Sequence, residues 1–390
     1  MTDLIQSIYK DLFPGLPLLV KSPGRINLIG EHVDYNGGFV LPAAIDRATY
    51  FAIAKSDQDT ATIYSQEYEE FYKFDVNNPE KVESPAWANY LLGVINQLKL
   101  AGHTIGSFNC VFGGNIPIGA GMSSSASIEC GFAFALNTLF DLNIDRETLI
   151  KMAQMAEHTY AGVKCGIMDQ FASMMGKSES ALLLDCRSLD HRYVPLTLGD
   201  YKIVLFDTKV KHSLASSEYN KRRQECEKGV EVLNKYYPEV VSLRDVSSEM
   251  LLKHREEFTQ KEFDRCSFVV GEIDRVQKAV IDLEANDLKA FGKKMFETHD
   301  GLSRKYEVSC EELDFLVDKV RNMPGVIGAR MMGGGFGGCT INIVQTSLIP
   351  QVIAEVKAGF NKMFNTEPEH YIMNVEQGTS VIDSQKASII

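Results

Sequence analysis

Between positions 113 and 127 the chain reads Gly113-Gly-Asn-Ile-Pro-Ile-Gly-Ala-Gly-Met-Ser-Ser-Ser-Ala-Ser127, residue types suited to holding an anion. Gly119 and Gly121 have no Cβ, so a phosphate can approach the backbone, and Ser123, Ser124 and Ser125 add hydroxyl donors. An apolar run ending near Phe112 reads as a strand, and a long helix is predicted from Ser123 to about Phe140. The start of such a helix offers free N–H groups and roughly half a unit of positive charge. A Gly-rich turn with a Ser N-cap would use the same residues without any ligand, so this segment alone leaves both readings open. It is not a P-loop, because the only Gly-Lys-Ser, Gly176-Lys177-Ser178, has Phe171 where that motif needs glycine. Nor is it a dinucleotide fingerprint, since Met122 and Ser124 stand where further glycines are required.

A second dense cluster lies at Ser22-Pro-Gly-Arg-Ile-Asn-Leu-Ile-Gly-Glu-His-Val-Asp-Tyr-Asn36. Glu31, His32, Asp34 and Asn36 crowd donors and acceptors into one short turn, which suits a polyhydroxylated ligand and equally a polar surface loop. One His and two carboxylates at this spacing do not make a recognised metal set. In Cys165-Gly-Ile-Met-Asp-Gln170 a lone acid, Asp169, stands among small and apolar residues, either as a general base or at the start of a helix. Glu157-His158, ending the preceding helix, is open in the same way. Gly333-Gly-Gly-Phe-Gly-Gly338 carries more glycine than a hairpin needs and points to close backbone approach. Lys221-Arg222-Arg223 sits beside several Glu and reads as a solvated helix face, and Lys209–His212 is a second small basic cluster.

Short strands are predicted at Leu18–Lys21, Arg25–Ile29, Thr49–Lys55, Thr62–Ser65, Phe71–Asp75, Ser107–Phe112, Ser180–Leu184 and Lys202–Phe206. Helices are predicted at Ala86–Leu100, after Ser123, and at Arg146–His158. Beyond about residue 205 come helices at Ser216–Tyr236, Lys261–Leu283 and Leu288–Leu302. Ser309-Cys-Glu-Glu312 matches a capping box opening another. Strands Val326–Met331 and Cys339–Val344 then flank the glycines, and a helix follows at Pro350–Phe364. A chain of 390 residues favours two domains, with a boundary near 190–205 and a cleft between them. The net charge of −12 argues against nucleic acid or an anionic membrane as main partner. Eight scattered cysteines without Cys-x-x-Cys pairs read as reduced thiols. With no signal-like N-terminus and no membrane-length apolar run, a cytoplasmic protein is expected.

Taken in order, these motifs resemble the GHMP family of small-molecule kinases over nearly the whole chain. Pro23–Pro42 looks like the signature of the branch that phosphorylates galactose, and Ile116–Ser127 is similar to the family's phosphate loop. Cys165–Gln170, Ala215–Asn220, Tyr306–Cys310 and Gly333–Gly338 fit the same family. The resemblance implies an α+β fold with an N-terminal ribosomal-protein-like α/β domain (1–200), a C-terminal ferredoxin-like α+β domain (201–390), and the active site in the cleft. It implies transfer of the γ-phosphoryl of ATP to the anomeric hydroxyl of α-D-galactose by a monomer. By position, Glu31, His32, Asp34, Tyr219 and the backbone of Gly166 would hold the sugar. Asp169 would take or orient the hydroxyl proton, with Arg25 stabilising charge. Gly119, Ala120, Gly121, Met122, Ser123, Ser124 and Ser125 would wrap the phosphates, and Ser125 with Glu157 would ligate Mg²⁺. Trp87 is an aromatic candidate for adenine. Met122, the Met331-Met332-Gly333 run and Phe268 depart from the residues common in the family. The alternatives are a kinase for another sugar, such as N-acetylgalactosamine or arabinose, and a non-catalytic galactose sensor. Intact Ser124, Ser125, Ala126 and Asp169 weigh against the sensor.

Overall fold

The computed structural model describes residues 1–117, 119–211 and 215–382, with the side chains at 211, 215 and 216 outside that description. His212 of the second basic cluster therefore lies outside the described residues. The chain begins α1 (Thr2–Leu12), β1 (Leu18–Asn27), β2 (Phe39–Val40), β3 (Pro42–Lys55), β4 (Ala61–Ser65) and β5 (Glu70–Phe74). It continues α2 (Ala88–Leu100), β6 (Phe108–Gly114), α3 (Ser124–Leu139), α4 (Arg146–Ala156), α5 (Met168–Met175), β7 (Ser180–Asp185) and β8 (His191–Pro195). Then come β9 (Tyr201–Lys211), α6 (Ala215–Asn234), α7 (Ser248–Lys253), α8 (Gln260–Glu284), α9 (Leu288–Arg304) and α10 (Glu311–Arg321). The last elements are β10 (Val326–Met331), β11 (Gly337–Gln345), α11 (Ile349–Phe364), β12 (Glu369–Met373) and β13 (Ser380–Val381).

Successive strand residues point to opposite faces, and the first sheet is apolar on both. In the order β13-β1-β3-β6-β4-β5 it sends Val20, Phe51, Ile53 and Phe112 toward a core shared with α2, α3 and α4. The alternating Leu19, Ala52 and Val111 meet Ile5 and Tyr9 of α1 on the other face. A second sheet, β10-β11-β9-β12, is antiparallel throughout. One face packs Val204, Phe206 and Val344 on helices α10 and α11. The other sends Ile203, Leu205, Ile341 and Ile343 into a core with Ile26, Leu28 and Leu41, which joins the two halves of the chain. A small third sheet, β2-β7-β8, completes the strands.

Several expectations shift. The two strands expected at Leu18–Lys21 and Arg25–Ile29 are one, β1, interrupted by a register shift between Pro23 and Arg25. Pro23 has no N–H for the ladder. Gly24 has no room for a side chain, since a Cβ there would stand 2.6 Å from the Met122 carbonyl. The α-helical run from Arg146 ends at Ala156, and Glu157–Ala161 form a wide π turn. The capping box at Ser309 does not form: Cys310 is the N-cap of α10 and makes no side-chain cap bond, so the motif is offset by one residue. Arg222 is not on a solvated face. It is buried and donates to the carbonyls of Tyr306 and Glu307 (both 2.7 Å), carrying its charge inward with Glu218 one helical turn away. Helices α1 and α7 and strands β2, β8, β12 and β13 were not anticipated from the sequence. Among the described residues no helix is long and apolar enough to cross a membrane.

Candidate active site

A cavity of about 270 Å³ is lined by Arg25, Glu31, His32, Asp34, Glu157, Gly166, Asp169, Tyr219 and the Gly333–Phe336 turn. The irregularity in β1 aims Arg25 into it, with the Arg25 N–H on the Met122 carbonyl at 3.1 Å. The guanidinium grips Asp169 at two points, Nε to Oδ1 at 2.8 Å and Nη2 to Oδ2 at 3.0 Å. Its remaining nitrogen, Nη1, donates to the Gly121 carbonyl, and the Ser123 hydroxyl donates to Asp169 Oδ2. One ion pair thus ties β1, the Gly119–Ser125 loop and the first turn of α5 together. Burial works against the Arg25 charge, but Asp169 and Glu31 outweigh it and hold the pKa above its ordinary value.

The turn after β1 builds the opposite wall. Glu31 is buried, and its Oε1 accepts from Arg330 Nη1 (3.1 Å), Arg330 Nη2 (3.2 Å) and the Gly333 N–H (2.7 Å). His32 sits in the left-handed region at φ 62°, rare for a residue with a side chain. Its ring contacts those of Tyr219 on α6 (5.3 Å between centroids) and Tyr306 (5.0 Å). Burial pushes its pKa down to about 4. Asp34 opens a single 3₁₀ turn, Asp34–Asn36, and burial followed by the nearby charge of Asp169 pushes its carboxyl up to about 7. A Cβ at position 166 would lie 1.7 Å from Asp34 Oδ2, so any side chain there must push the Asp34 carboxylate aside.

Glu157, in the π turn, is buried and accepts from Gln170 Nε2 at 2.7 Å and from the Cys165 thiol at 3.3 Å. The Ser125 hydroxyl also bonds to it, while burial and then Asp169 push its pKa up. Behind it lies Glu129 of α3, fully buried, with Oε1 lacking a hydrogen-bond partner among the described residues. Packed acidic oxygens and an adjacent hydroxyl are hard donors of the kind Mg²⁺ takes. Among the described residues no three His, Cys, Asp or Glu side chains form a protein metal cage. That donor set fits a cation completed by phosphate oxygens and water. Helix α3 begins at Ser124 without a side-chain cap bond, which leaves its first N–H groups open to an anion. Ser124 and Ser125 border a second cavity of about 160 Å³, whose wall includes Trp87, Tyr90 and Phe112.

The comparisons with known proteins agree along the chain. Residues 7–55 match the galactokinase galactose-binding signature, residues 89–177 the GHMP kinases N-terminal domain and residues 279–362 the GHMP kinases C-terminal domain. A galactokinase of Clostridium acetobutylicum is 42% identical over 366 residues, 93% of this chain and 94% of the relative. This chain belongs to the galactokinase family. A galactokinase of Thermosipho africanus is 41% identical over 93% of this chain and 99% of its own. The crystal structure of Lactococcus lactis galactokinase complexed with galactose superposes with a TM-score of 0.94 at 33% identity, covering 97% of this chain and 99% of that one. The Methanococcus jannaschii mevalonate kinase shares the fold at a TM-score of 0.63 and 19% identity, over 93% of this chain and 99% of that one.

Within this family the galactose-binding signature contains Arg25, Glu31, His32 and Asp34, and the N-terminal match contains the 119–125 loop, Glu157, Gly166 and Asp169. Tyr219 lies outside all three matched segments. Sequence reasoning passed over Arg330, Glu129 and Gln170. Arg330 had a signal: a single charge in the apolar strand Val326–Met331, next to the glycine run, has no reason to be there unless it is paired. Glu129 had a weaker one, a lone acid on the otherwise apolar helix after the serines.

Proposed function

We propose that the chain transfers the γ-phosphoryl of ATP to the C1 hydroxyl of galactose, giving galactose 1-phosphate and ADP. The observation that carries this reading is the Arg25–Asp169 pair, set between the Glu31–Asp34 turn and the serine loop. Phosphoryl transfer requires positioning and charge neutralisation more than covalent chemistry. In this reading Glu31, His32, Asp34, Tyr219 and the Gly166 backbone hold the sugar, with Gly166 bare so that Asp34 can reach its place. Asp169 Oδ2 accepts two hydrogen bonds and Oδ1 one, so a lone pair on Oδ1 remains for the sugar hydroxyl. As the C1 oxygen bonds to the γ-phosphorus and the bond to the β-phosphate oxygen breaks, the hydroxyl proton passes to Asp169. Arg25 then faces the negative charge that develops beside it.

The backbone from Gly119 to Ser125 and the start of α3 cradle the phosphates, and the aromatic wall with Trp87 takes the adenine end. Ser125 and Glu157 would hold Mg²⁺, which supplies charge neutralisation on the phosphate oxygens. The same reading divides the chain at about 200/201. The phosphate loop and sugar turn fall on the N-terminal side, and Tyr219 and the Gly333–Phe336 turn on the other.

The test is ADP release with Mg-ATP and a panel of galactose, glucose, N-acetylgalactosamine and arabinose, run beside Asp169→Asn. Release with galactose that the substitution slows by about 10²–10⁴-fold is the expected result. Release with a different sugar would overturn the specificity, and none with any sugar would overturn the activity.

A further inference from the structure

Four side chains behind the sugar turn form a hydrogen-bonded line whose direction can be deduced. His32 Nε2 lies 3.2 Å from the Gly334 carbonyl oxygen, and His32 Nδ1 lies 2.8 Å from the Tyr35 hydroxyl. The Tyr35 hydroxyl is 2.7 Å from that of Tyr306, which in turn is 3.2 Å from the Cys226 sulfur. A carbonyl oxygen only accepts, so Nε2 carries a proton. Burial holds the ring pKa at about 4, so at neutral pH the ring is uncharged and Nδ1 is a bare lone pair. Tyr35 must therefore donate to Nδ1, which leaves its oxygen to accept from Tyr306. The Tyr306 oxygen then accepts from the Cys226 S–H, while the Asn36 side chain bonds to the sulfur. With the ring neutral and its proton on Nε2, no other arrangement gives each contact a donor and an acceptor.

We propose that Tyr35 and Tyr306 are positioning residues that lock His32 in its Nε2-protonated tautomer, so that this point of the cavity offers a galactose oxygen a donor. The proposal rests on the reading of the cavity as the galactose site. The lock matters when sugar binds. In the free protein the Gly334 carbonyl alone would enforce the proton on Nε2. A sugar oxygen that displaces that carbonyl could itself donate or accept. Moving the proton to Nδ1 would require the Tyr35 and Tyr306 hydroxyls both to reverse and would take the buried Cys226 S–H off its acceptor. The line therefore favours Nε2–H as the donor. The ligand must consequently present a lone pair there, and a ligand group that can only donate is rejected.

The experiment is ¹⁵N NMR of imidazole-labelled protein, free and with galactose, with His32 assigned among the eight histidines by its loss in His32→Gln. The expected result is a single neutral ring protonated at Nε2 in both states. Tyr35→Phe should then show a mixed tautomer with galactose bound, and a KM for galactose raised ~5-fold at nearly unchanged kcat, the worth of one ordinary hydrogen bond. Tyr306→Phe should move both readouts the same way by less. Proton on Nδ1 or an imidazolium at pH 7 in the wild type would overturn the proposal, as would an unaltered tautomer in galactose-bound Tyr35→Phe. If Tyr35→Phe does not fold, the wild-type tautomer and Tyr306→Phe decide by the same criteria. An Nε2-protonated ring whose signals ignore galactose would overturn the sugar-site reading while leaving the direction of the line intact.

Discussion

Replacing Asp34 by Asn should stabilise the protein at alkaline pH. The carboxyl is held at about 7 against an ordinary 3.8, first by burial and then by the charge of Asp169. A carboxyl raised on folding contributes stability that is complete below about 4 and is lost as pH rises through about 7, because the folded state must then ionise a group its surroundings disfavour. Between pH 5 and pH 8 the loss spans about two pK units, roughly 3 kcal/mol at 1.36 kcal/mol each. Asp34 borders an open cavity, and water there screens part of the effect, which leaves about 1–3 kcal/mol. Asn has the same shape and does not titrate. Urea unfolding of ligand-free wild type and Asp34→Asn at the two pH values gives the stability difference at each. The advantage of the variant should grow by about 1–3 kcal/mol from pH 5 to pH 8. A gap that stays constant, or that shrinks with rising pH, would refute the reasoning about the Asp34–Asp169 pair.

Asp169→Asn should lower kcat by about 10²–10⁴-fold while galactose affinity, measured by calorimetry, changes far less. Gly166→Ala forces a methyl into Asp34 and should abolish measurable galactose binding while far-UV circular dichroism stays native. Glu31→Leu strips a fully buried guanidinium of its carboxylate and should cost about 3–5 kcal/mol in denaturant unfolding. The double variant Glu31→Leu/Arg330→Met should recover part of that loss. Chelating divalent cations should eliminate ADP release, and Glu157→Gln should raise the Mg²⁺ concentration needed for half-maximal rate.

Residues carried by short, dense motifs were legible. Arg25, Glu31, His32 and Asp34 lie within ten positions, so their crowding of donors and acceptors is visible in the sequence, and the fold brings all four to one cavity. The serine loop is similar, since glycines ahead of a helix start have a local physical meaning. Arg330 was not legible in this way, because its purpose depends on Glu31, 299 positions earlier, which only the packing of β10 against the sugar turn brings near. That β1 runs on through its irregularity at Pro23 was missed for a related reason. Pro23 hints at irregular pairing, but the need for a bare Gly24 comes from Met122 on a distant loop. Arg222 was misread because three consecutive basic residues on a helix point in three directions, and only one reaches the Tyr306 carbonyl. The offset cap at Cys310 shows the limit of a four-residue motif whose register can slip by one.

The return of the last strand to the first sheet has a consequence for how the chain is made. β13 pairs with β1 through Val20 with Val381 and Lys21 with Ser380, and Thr379 is buried between Ser22 and Ser173 of α5. The sheet that carries Arg25, and the helix that carries Asp169, therefore share a partner that leaves the ribosome some 350 residues after β1. The early half can collapse around α2, α3 and α4 during synthesis, yet one edge of its sheet stays open until the end. At about 5–20 residues per second that wait is tens of seconds, during which the open edge of β1 is available to other strands. Deleting residues 379–382 should make the exposed edge permanent, and the damage would fall on the N-terminal half of the site.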